Sequence, residues 1–264
     1  MTPGASYTFT HAICRKPGLS VTRGLRDTDN GDPSPEAFAR QHAAYVAALE
    51  ATGAEVTVLE PLEDFPDSVF VEDPALCVAG SAILLRPGAV SRFGEREAAR
   101  QALSAQFDTV VDLPEGGFVD GGDILVTGRE ALVGLSARTD EAGVQSLKTI
   151  LDGLGVPIRV VRTPPEILHF KTECGLLDDD TIFATRALIA TGCFAGYRLI
   201  ECPQGEDGAA NLIRCNDQVF VSEGYPETVR VLGEAGYSVT ALSTREAAKV
   251  DGGLSCMSLR FSLR

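Results

Sequence analysis

Apolar runs interrupted by turn residues recur along the whole chain. Five segments combine an apolar run, a turn signal and a second apolar run, a pattern that predicts a β-hairpin. They are ALCVAGSAILLR (75–86), DILVTGREALVGL (123–135), CGLLDDDTIFAT (174–185), NLIRCNDQVFVS (211–222) and GGLSCMSLRF (252–261), the last being the weakest match. Successive units lie 49, 51, 38 and 41 residues apart when counted from Asp73, Gly122, Glu173, Asn211 and Gly252. Such a period is typical of propellers and other repeat architectures.

Helical patterns alternate with these hairpins. Four of the hairpins are followed by a helical pattern, at 94–106, 140–155, 185–192 and 226–236, and then by a third strand, as in TVVDL, IRVVR, RLIEC and SVTAL. A fifth helix, over 33–53, has Pro35 in its first turn and serves the C-terminal hairpin if the termini meet. Repeats that close on themselves remove exposed sheet edges and leave a central cavity. The pattern therefore predicts one closed α/β domain over residues 1–264.

Charge narrows the choice of partner. Lys and Arg total 23 and Asp and Glu total 37 among 264 residues, which gives a net charge of −14. Such a chain repels nucleic-acid phosphates and anionic membrane surfaces, whereas a cationic small molecule is compatible with it. The sequence shows neither an apolar run of membrane-spanning length nor a secretory signal, so we expect no membrane contact and a cytoplasmic location.

Cysteine and histidine spacing argues against disulfides and metal. The seven cysteines include no C-x-x-C pair, and the three histidines, His11, His42 and His169, form no cluster. Structural disulfides and zinc sites normally show such spacing. We therefore expect reduced thiols, no metal and no cofactor.

Three residues are candidates for catalysis, although each has a plain structural alternative. Cys256 in DGGLSCMSLRF is either a small buried hydrophobe or a nucleophile. His169 in ILHFKTECGLL is either a core histidine or the proton-transfer partner that a thiol needs. Asp120 in GGFVDGGDILV could orient that imidazole, whereas Asp123 is expected to serve the turn.

A group of acidic residues suggests a cation site. The segment FPDSVFVEDP places Asp67, Glu72 and Asp73 in an apolar setting, where buried negative charge is costly unless it is paired. A planar guanidinium is well matched by carboxylates that accept hydrogen bonds in its plane. The alternative is that these charges lie on a solvated loop.

The segments FPDSVFVEDP, VDGGD, LHFKT and DGGLSCMSLRF together resemble the dimethylarginine dimethylaminohydrolase family over nearly the whole chain. The resemblance implies a pentein fold, which is a five-bladed α/β propeller with its active site in the central channel. It implies that Cys256 is the nucleophile, His169 the general acid and base, and Asp120 its carboxylate partner. Some relatives have Glu where this chain has Asp120. Glu72 and Asp73 are then expected to hold the guanidinium.

The resemblance also implies how the rest of a methylated arginine is bound. By position, Arg92 and Arg138 are expected to clamp the substrate carboxylate, each just before a predicted helix. Asp67 and the backbone around Leu25 and Val250 suit the amine. The loop over 25–35 is a candidate lid over the channel, and a homodimer is left open.

Two other functions remain at this stage. An arginine or agmatine deiminase would use similar cysteine, histidine and acid groups but would release ammonia. A non-catalytic ring that binds a macromolecule could share the architecture, since a fold does not dictate function. The two arginines argue against agmatine, which has no carboxylate, and the acidic charge argues against the non-catalytic alternative.

Overall fold

The computed structural model describes Gly4 and residues 6–263, and its strands form five separate three-stranded sheets. In each sheet two strands pair antiparallel and the third, which follows a helix, runs parallel to the middle strand. In chain order the elements are β1 (His11–Arg15), α1 (Pro35–Ala51), β2 (Glu55–Leu59), β3 (Ala75–Val78), β4 (Ser81–Leu84), α2 (Glu95–Ser104), β5 (Val110–Asp112), β6 (Ile124–Val126), β7 (Ala131–Leu135), α3 (Glu141–Gly153), β8 (Ile158–Arg162), β9 (Cys174–Leu176), β10 (Thr181–Ala184), α4 (Arg186–Ala190), β11 (Arg198–Glu201), β12 (Ile213–Cys215), β13 (Gln218–Ser222), α5 (Pro226–Glu234), β14 (Ser238–Leu242), α6 (Arg245–Ala248) and β15 (Leu259–Phe261).

The two ends of the chain share one sheet. The strand β15 pairs antiparallel with β1, with Leu259 opposite Ile13, and β1 pairs parallel with β2. This confirms that the N-terminal helix serves the C-terminal unit. The predicted hairpin over 252–261 is wrong, because residues Ser255–Met257 form a 3-10 turn and only Leu259–Phe261 is a strand. The antiparallel partner of β15 is β1, from the other end of the chain, in place of a strand within 252–258.

Local sequence explains why α1 begins and how it packs. The Ser34 hydroxyl accepts a hydrogen bond from the Ala37 amide at 3.2 Å, and Pro35 occupies the first turn, where no amide donor is needed. The helix buries one face, whose members are Phe38, His42, Tyr45 and Leu49. That spacing of three to four residues is the helical repeat, so one stripe of α1 faces the core.

Five apolar cores lie between neighbouring sheets and close them into a ring. For example, Leu76 and Ile83 of the second sheet pack with Ile124 and Val133 of the third. The other four clusters join the remaining pairs of neighbours in the same way, including the last sheet and the first. This confirms the predicted five-unit α/β propeller.

A central cavity of about 660 Å³ lies where the sheets converge. Residues from the first strand of every unit line it, namely those of β3, β6, β9, β12 and β15. Within the described residues, none of the six helices is both long and apolar enough to span a bilayer.

Candidate active site

Short turns just before the first strands carry the candidate residues. Three of these are 3-10 turns, over Gly121–Asp123, Phe170–Thr172 and Ser255–Met257. Asp120 and His169 directly precede the first two, and Cys256 lies in the third. Since the first strands converge on the centre of the ring, turns that are distant in sequence meet there.

His169 is held by Asp120. The imidazole Nε2 lies 2.9 Å from Asp120 Oδ2, and the Gly88 amide donates to Asp120 Oδ1 at 2.7 Å. Asp120 is fully buried, so its orientation is set by these contacts. A Cβ on Gly122 would lie 2.8 Å from the imidazole ring, so a glycine is needed there for the ring to sit against the turn.

Asp123 supports the same turn from the other side. Its Oδ2 accepts hydrogen bonds from the hydroxyls of Ser136 and Thr139 at 2.6 Å, and its Oδ1 accepts from the Phe170 amide at 2.8 Å. Because Phe170 follows His169, this last hydrogen bond joins the turn that contains Asp123 to the turn that follows His169. Asp123 therefore holds residues distant in sequence, whereas its side chain was expected to serve its own turn.

Asp73 is the shared neighbour of the imidazole and the thiol. Ligand atoms of Asp73, Asp120 and His169 all lie within 4.8 Å of one another. Burial alone lowers the pKa of His169, but the charge of Asp73 and the hydrogen bond with Asp120 outweigh it and raise this pKa to about 9. The imidazole is therefore protonated at neutral pH.

Cys256 is a buried thiol beside two carboxylates. Its residue is 9% exposed, and its carbonyl accepts a hydrogen bond from the Glu72 amide at 3.2 Å. Burial, then the charges of Asp73 and Glu72, raise the pKa of the thiol to about 12. The sulfur is therefore protonated in this state of the protein.

Glu72 has one satisfied and one unsatisfied oxygen. Its Oε1 accepts from Lys171 Nζ at 2.5 Å and from Arg260 Nη2 at 3.4 Å. Its Oε2 is buried and has no hydrogen-bond partner among the described residues. A buried acceptor without a donor costs free energy, so this oxygen suits a ligand that brings an N–H group.

Arg92 is buried between two carboxylates. Its Nη1 donates to Asp73 Oδ2, and its Nε and Nη2 donate to the two oxygens of Glu95 at 3.0 and 2.7 Å. Nη2 also donates to the Phe70 carbonyl at 2.8 Å. The residue is 4% exposed. Buried carboxylates on both sides therefore hold the guanidinium in this structure, and the predicted role of Arg92 in clamping a substrate carboxylate stays a prediction.

This ion pair also sets the charge of Asp73. Burial raises the pKa of Asp73, yet the charges of Arg92 and His169 together with the hydrogen bonds from Arg92 and the Gly122 amide outweigh it and hold this pKa below its usual range. Asp73 therefore stays ionised next to the thiol and the imidazole.

Asp67, Leu25 and Val250 lie close together, and their role in binding the amine stays a prediction. The Leu25 amide donates to Asp67 Oδ1 at 2.9 Å, and a Cβ on Gly24 would lie 2.9 Å from the Val250 side chain. Burial raises the pKa of Asp67, although the charges of Arg92 and Arg138 oppose it. The candidate lid loop begins here, and whether it moves stays a prediction.

Arg138 lies near Asp67 and Asp251 with its guanidinium uncommitted. Among the described residues, no carboxylate lies within 4.0 Å of its guanidinium, and the guanidinium donates no hydrogen bond. Only the backbone amide of Arg138 donates one, to the Ser136 hydroxyl. Its charge reaches Asp67 and Asp251, whose pKa values it lowers against the effect of burial. It therefore remains available to an anion.

The donor set fits a metal ion poorly. Asp73, Asp120 and His169 lie close enough together to ligate one. However, the oxygens of Asp120 already accept from Gly88 and contact the imidazole, while those of Asp73 accept from Gly122 and Arg92. A protonated imidazole has no lone pair to offer a metal ion, so His169 is not a ligand in this protonation state. The absence of metal stays a prediction.

Three charged residues of the site were missed by the sequence analysis: Glu95, Lys171 and Arg260. The signal for Glu95 was present, because it follows Arg92 by three residues at a helix start, where side chains meet. Lys171 follows His169 by two residues within the same turn. Arg260 had no signal, because its contacts depend on how β15 docks.

Comparisons with known proteins agree with this geometry. A family model described as eukaryotic N,N dimethylarginine dimethylhydrolase matches residues 26–173. The N(G),N(G)-dimethylarginine dimethylaminohydrolase of Pseudomonas aeruginosa is 39% identical over 254 residues, covering 96% of this chain and 100% of that protein. A solved structure of the enzyme from that bacterium, a cysteine-to-serine mutant with citrulline, has a TM-score of 0.93 at 38% identity and covers 97% of this chain and 100% of its own. A histidine-to-glycine variant of a dimethylarginine dimethylaminohydrolase, solved as an adduct with S-methyl-L-thiocitrulline, also has a TM-score of 0.93 at 38% identity and covers 96% of this chain and 100% of its own.

Proposed function

The chain belongs to the dimethylarginine dimethylaminohydrolase family, and we propose that it hydrolyses N-omega-methylated arginines to citrulline and a methylamine through a covalent intermediate on Cys256. One observation carries this proposal. The Cys256 thiol and the His169 imidazole share the neighbour Asp73, next to a Glu72 oxygen that has no donor. A planar cation bound to these carboxylates would present its central carbon to the sulfur.

Binding of the guanidinium satisfies the buried acids. One N–H group donates to Glu72 Oε2, which lacks a partner in the free protein, and others reach Asp73. At the mouth, Arg138 binds the substrate carboxylate, while Asp67 and the backbone around Leu25 and Val250 accept the amine.

Arg92 joins the clamp by exchange. When the substrate guanidinium donates to Asp73, it replaces Nη1 of Arg92 at that carboxylate. Glu95 then remains the carboxylate partner of Arg92, and a change of side-chain rotamer brings the Arg92 guanidinium to the substrate carboxylate. Arg92 thus keeps the acid charge balanced before substrate arrives.

The first half of the reaction forms a thioether bond to the guanidinium carbon. The substrate cation offsets the carboxylates that raise the thiol pKa, so Cys256 loses its proton to solvent and the thiolate attacks. The bond from carbon to the methylated nitrogen breaks, and protonated His169 gives its proton to the departing amine. An S-alkylthiouronium cation and a neutral imidazole remain.

Water completes the cycle. His169 takes a proton from the water that attacks the thiouronium carbon, and the carbon–sulfur bond breaks as citrulline forms. The second proton released on forming the urea carbonyl returns to the sulfur. The protein therefore ends with a neutral thiol and an imidazolium, the protonation state of the free site.

The test measures citrulline and released amine from asymmetric dimethylarginine, monomethylarginine and arginine. We expect equimolar citrulline and dimethylamine from the first, and a loss of at least about 10³-fold in kcat for Cys256→Ser. Cys193→Ser is the matched control, since that thiol lies after α4 and contacts the Leu188 carbonyl at 3.7 Å.

Each alternative has its own outcome. Ammonia and citrulline from arginine alone would indicate a deiminase, because specificity depends on the room around one guanidinium nitrogen. No turnover of any of the three by the wild type would favour a non-catalytic ring. The cytoplasmic location and the homodimer stay predictions.

A further inference from the structure

Arg260 lies next to the site, yet no step of the proposed reaction uses it. It is the middle residue of β15, the strand that follows the nucleophile turn. Its side chain is 12% exposed and borders the central cavity. A long cationic side chain held at this depth must have its donors satisfied, so its partners define what it does.

One end of the guanidinium holds the turn that carries Cys256. Nη1 donates to the Ser258 carbonyl at 3.0 Å and to the Ser258 hydroxyl at 2.6 Å, and it lies 3.4 Å from the Ser255 carbonyl. These carbonyls belong to residues on either side of Met257 and Cys256. Nη1 therefore bridges the beginning and end of the nucleophile turn.

The contact extends to helix α1 through a chain of hydroxyls. The Ser258 hydroxyl, which accepts from Arg260, lies 2.6 Å from the Tyr45 hydroxyl, and Tyr45 donates to the Leu254 carbonyl at 2.9 Å. Ser258 must then donate to Tyr45, so each group gives one proton onward and every acceptor is filled. Such a chain is cooperative, because each bond polarises the next.

The other end of the guanidinium reaches the substrate acids. Nη2 lies 3.4 Å from Glu72 Oε1, the oxygen that also accepts from Lys171. The fork of Arg260 therefore spans from the turn that holds the sulfur to the carboxylate expected to hold the guanidinium. A planar guanidinium fixes the angle between two such partners, which a lysine ammonium does not.

A second contact fixes only the start of this turn. The Asn211 amide group bonds to both the backbone and the hydroxyl of Ser255, at 3.0 and 3.2 Å. Among the described residues, Asn211 forms no hydrogen bond with Ser258 or Glu72. The Glu72 amide also donates to the Cys256 carbonyl at 3.2 Å, so the two backbones are joined directly. Arg260 adds the link between this turn and the Glu72 carboxylate, the group that is expected to hold the substrate.

We propose that Arg260 is a positioning residue that sets the Cys256 turn against Glu72, and so aligns the sulfur with the bound guanidinium carbon. This inference rests on the proposed function. It predicts that Arg260 acts on the rate of the chemical step and not on affinity, because its guanidinium is expected to touch no part of the substrate.

The test compares Arg260→Met and Arg260→Lys with Arg214→Met. Methionine keeps most of the apolar stem and removes the fork, and lysine keeps the charge without the fork. Arg214 is the matched control because it lines the same cavity. Its guanidinium donates to the Leu177 and Asn216 carbonyls, and neither residue belongs to the nucleophile turn. Circular dichroism and thermal unfolding establish that each variant folds.

For Arg260→Met we expect kcat to fall by about 100-fold, the cost of a displacement of about 1 Å at the reacting atoms. KM should stay within about twofold, because uniform binding is intact. Arg260→Lys should recover about tenfold of this loss through its retained charge, and Arg214→Met should keep kcat within about twofold.

A second measurement needs no substrate. Iodoacetamide labelling of Cys256 at fixed pH, followed by mass spectrometry, should slow by at least about threefold in Arg260→Met, because Glu72 loses a counter-charge and disfavours the thiolate more strongly. An unchanged or faster labelling rate would overturn the proposal, as would an unchanged kcat or a rise in KM that accounts for the whole loss. A wild type that turns over no guanidine substrate would instead contradict the proposed function.

Discussion

Arg92 and Arg138 occupy matching places in consecutive units, each in the loop between the second strand and the helix, yet only Arg92 has an ion-pair partner among the described residues. Both are followed three residues later by a glutamate, Glu95 and Glu141. Glu95 is 4% exposed and binds Arg92, whereas the Glu141 side chain is 80% exposed and lies 3.7 Å from Arg162. Equal spacing thus gives opposite outcomes, because Glu95 is enclosed beside Arg92, whereas Glu141 extends into solvent, where an ion pair gains little free energy.

The largest effect should come from breaking the buried pair. Arg92→Met leaves Asp73 and Glu95 without their cation, so we expect the free energy of unfolding at pH 7 to fall by about 3–5 kcal/mol. Urea denaturation of the folded variant measures this.

The pH dependence of that loss has a definite sign. Arg92 lowers the pKa of Asp73, so the pair stabilises the protein above the ordinary Asp pKa of about 3.9 and loses this contribution as pH falls. The difference between wild type and Arg92→Met should therefore narrow in acid. A small difference in the free energy of unfolding at pH 7, or a difference that does not change with pH, would show that the buried Arg92–Asp73 pair contributes little to stability.

An intermediate effect is expected from the uncommitted arginine. Arg138→Met should change the free energy of unfolding by less than about 0.5 kcal/mol, because no partner is lost. KM for a methylated arginine should rise by about 10- to 100-fold, the value of one charge-assisted contact to the substrate carboxylate. Steady-state kinetics test this, and agmatine, which has no carboxylate, serves as the control ligand. An equal KM for both proteins would place the carboxylate elsewhere.

The smallest effect should come from Glu141. Glu141→Gln should change the free energy of unfolding by less than about 0.5 kcal/mol, because the contact between Glu141 and Arg162 is solvent-exposed. KM should change by less than about twofold. Thermal unfolding and the same kinetic assay measure these changes. A fall in KM of tenfold would mean that Glu141 competes for Arg138 in solution.

The repeat could be read from the sequence because each unit uses local signals. Hairpins, helices and third strands follow from hydrophobic alternation and turn residues, and α1 lies within two residues of its predicted bounds at each end. The hairpin over 252–261 failed because its partner is β1, which lies at the other end of the chain. No local pattern reports such a pairing.

The site was predictable in its positions and not in its contacts. Asp120 and His169 precede turns that the ring brings together, so their hydrogen bond agrees with the predicted pairing. The contact between Arg92 and Asp73 was not predictable, because it forms only when the fold buries both side chains together. The roles of Cys256, His169 and Asp120 in catalysis stay predictions until the variants are assayed.

The sharing of one sheet by β1 and β15 has a kinetic consequence. This pairing joins the strands most distant in sequence. Closing so long a loop has a large entropic cost, so we expect this pairing to form late in folding. Cys256 reaches the carboxylates that suppress its ionisation only when that closure occurs. An incompletely folded chain therefore carries a more readily oxidised sulfur than the finished ring, which makes ring closure a protective event as well as a structural one.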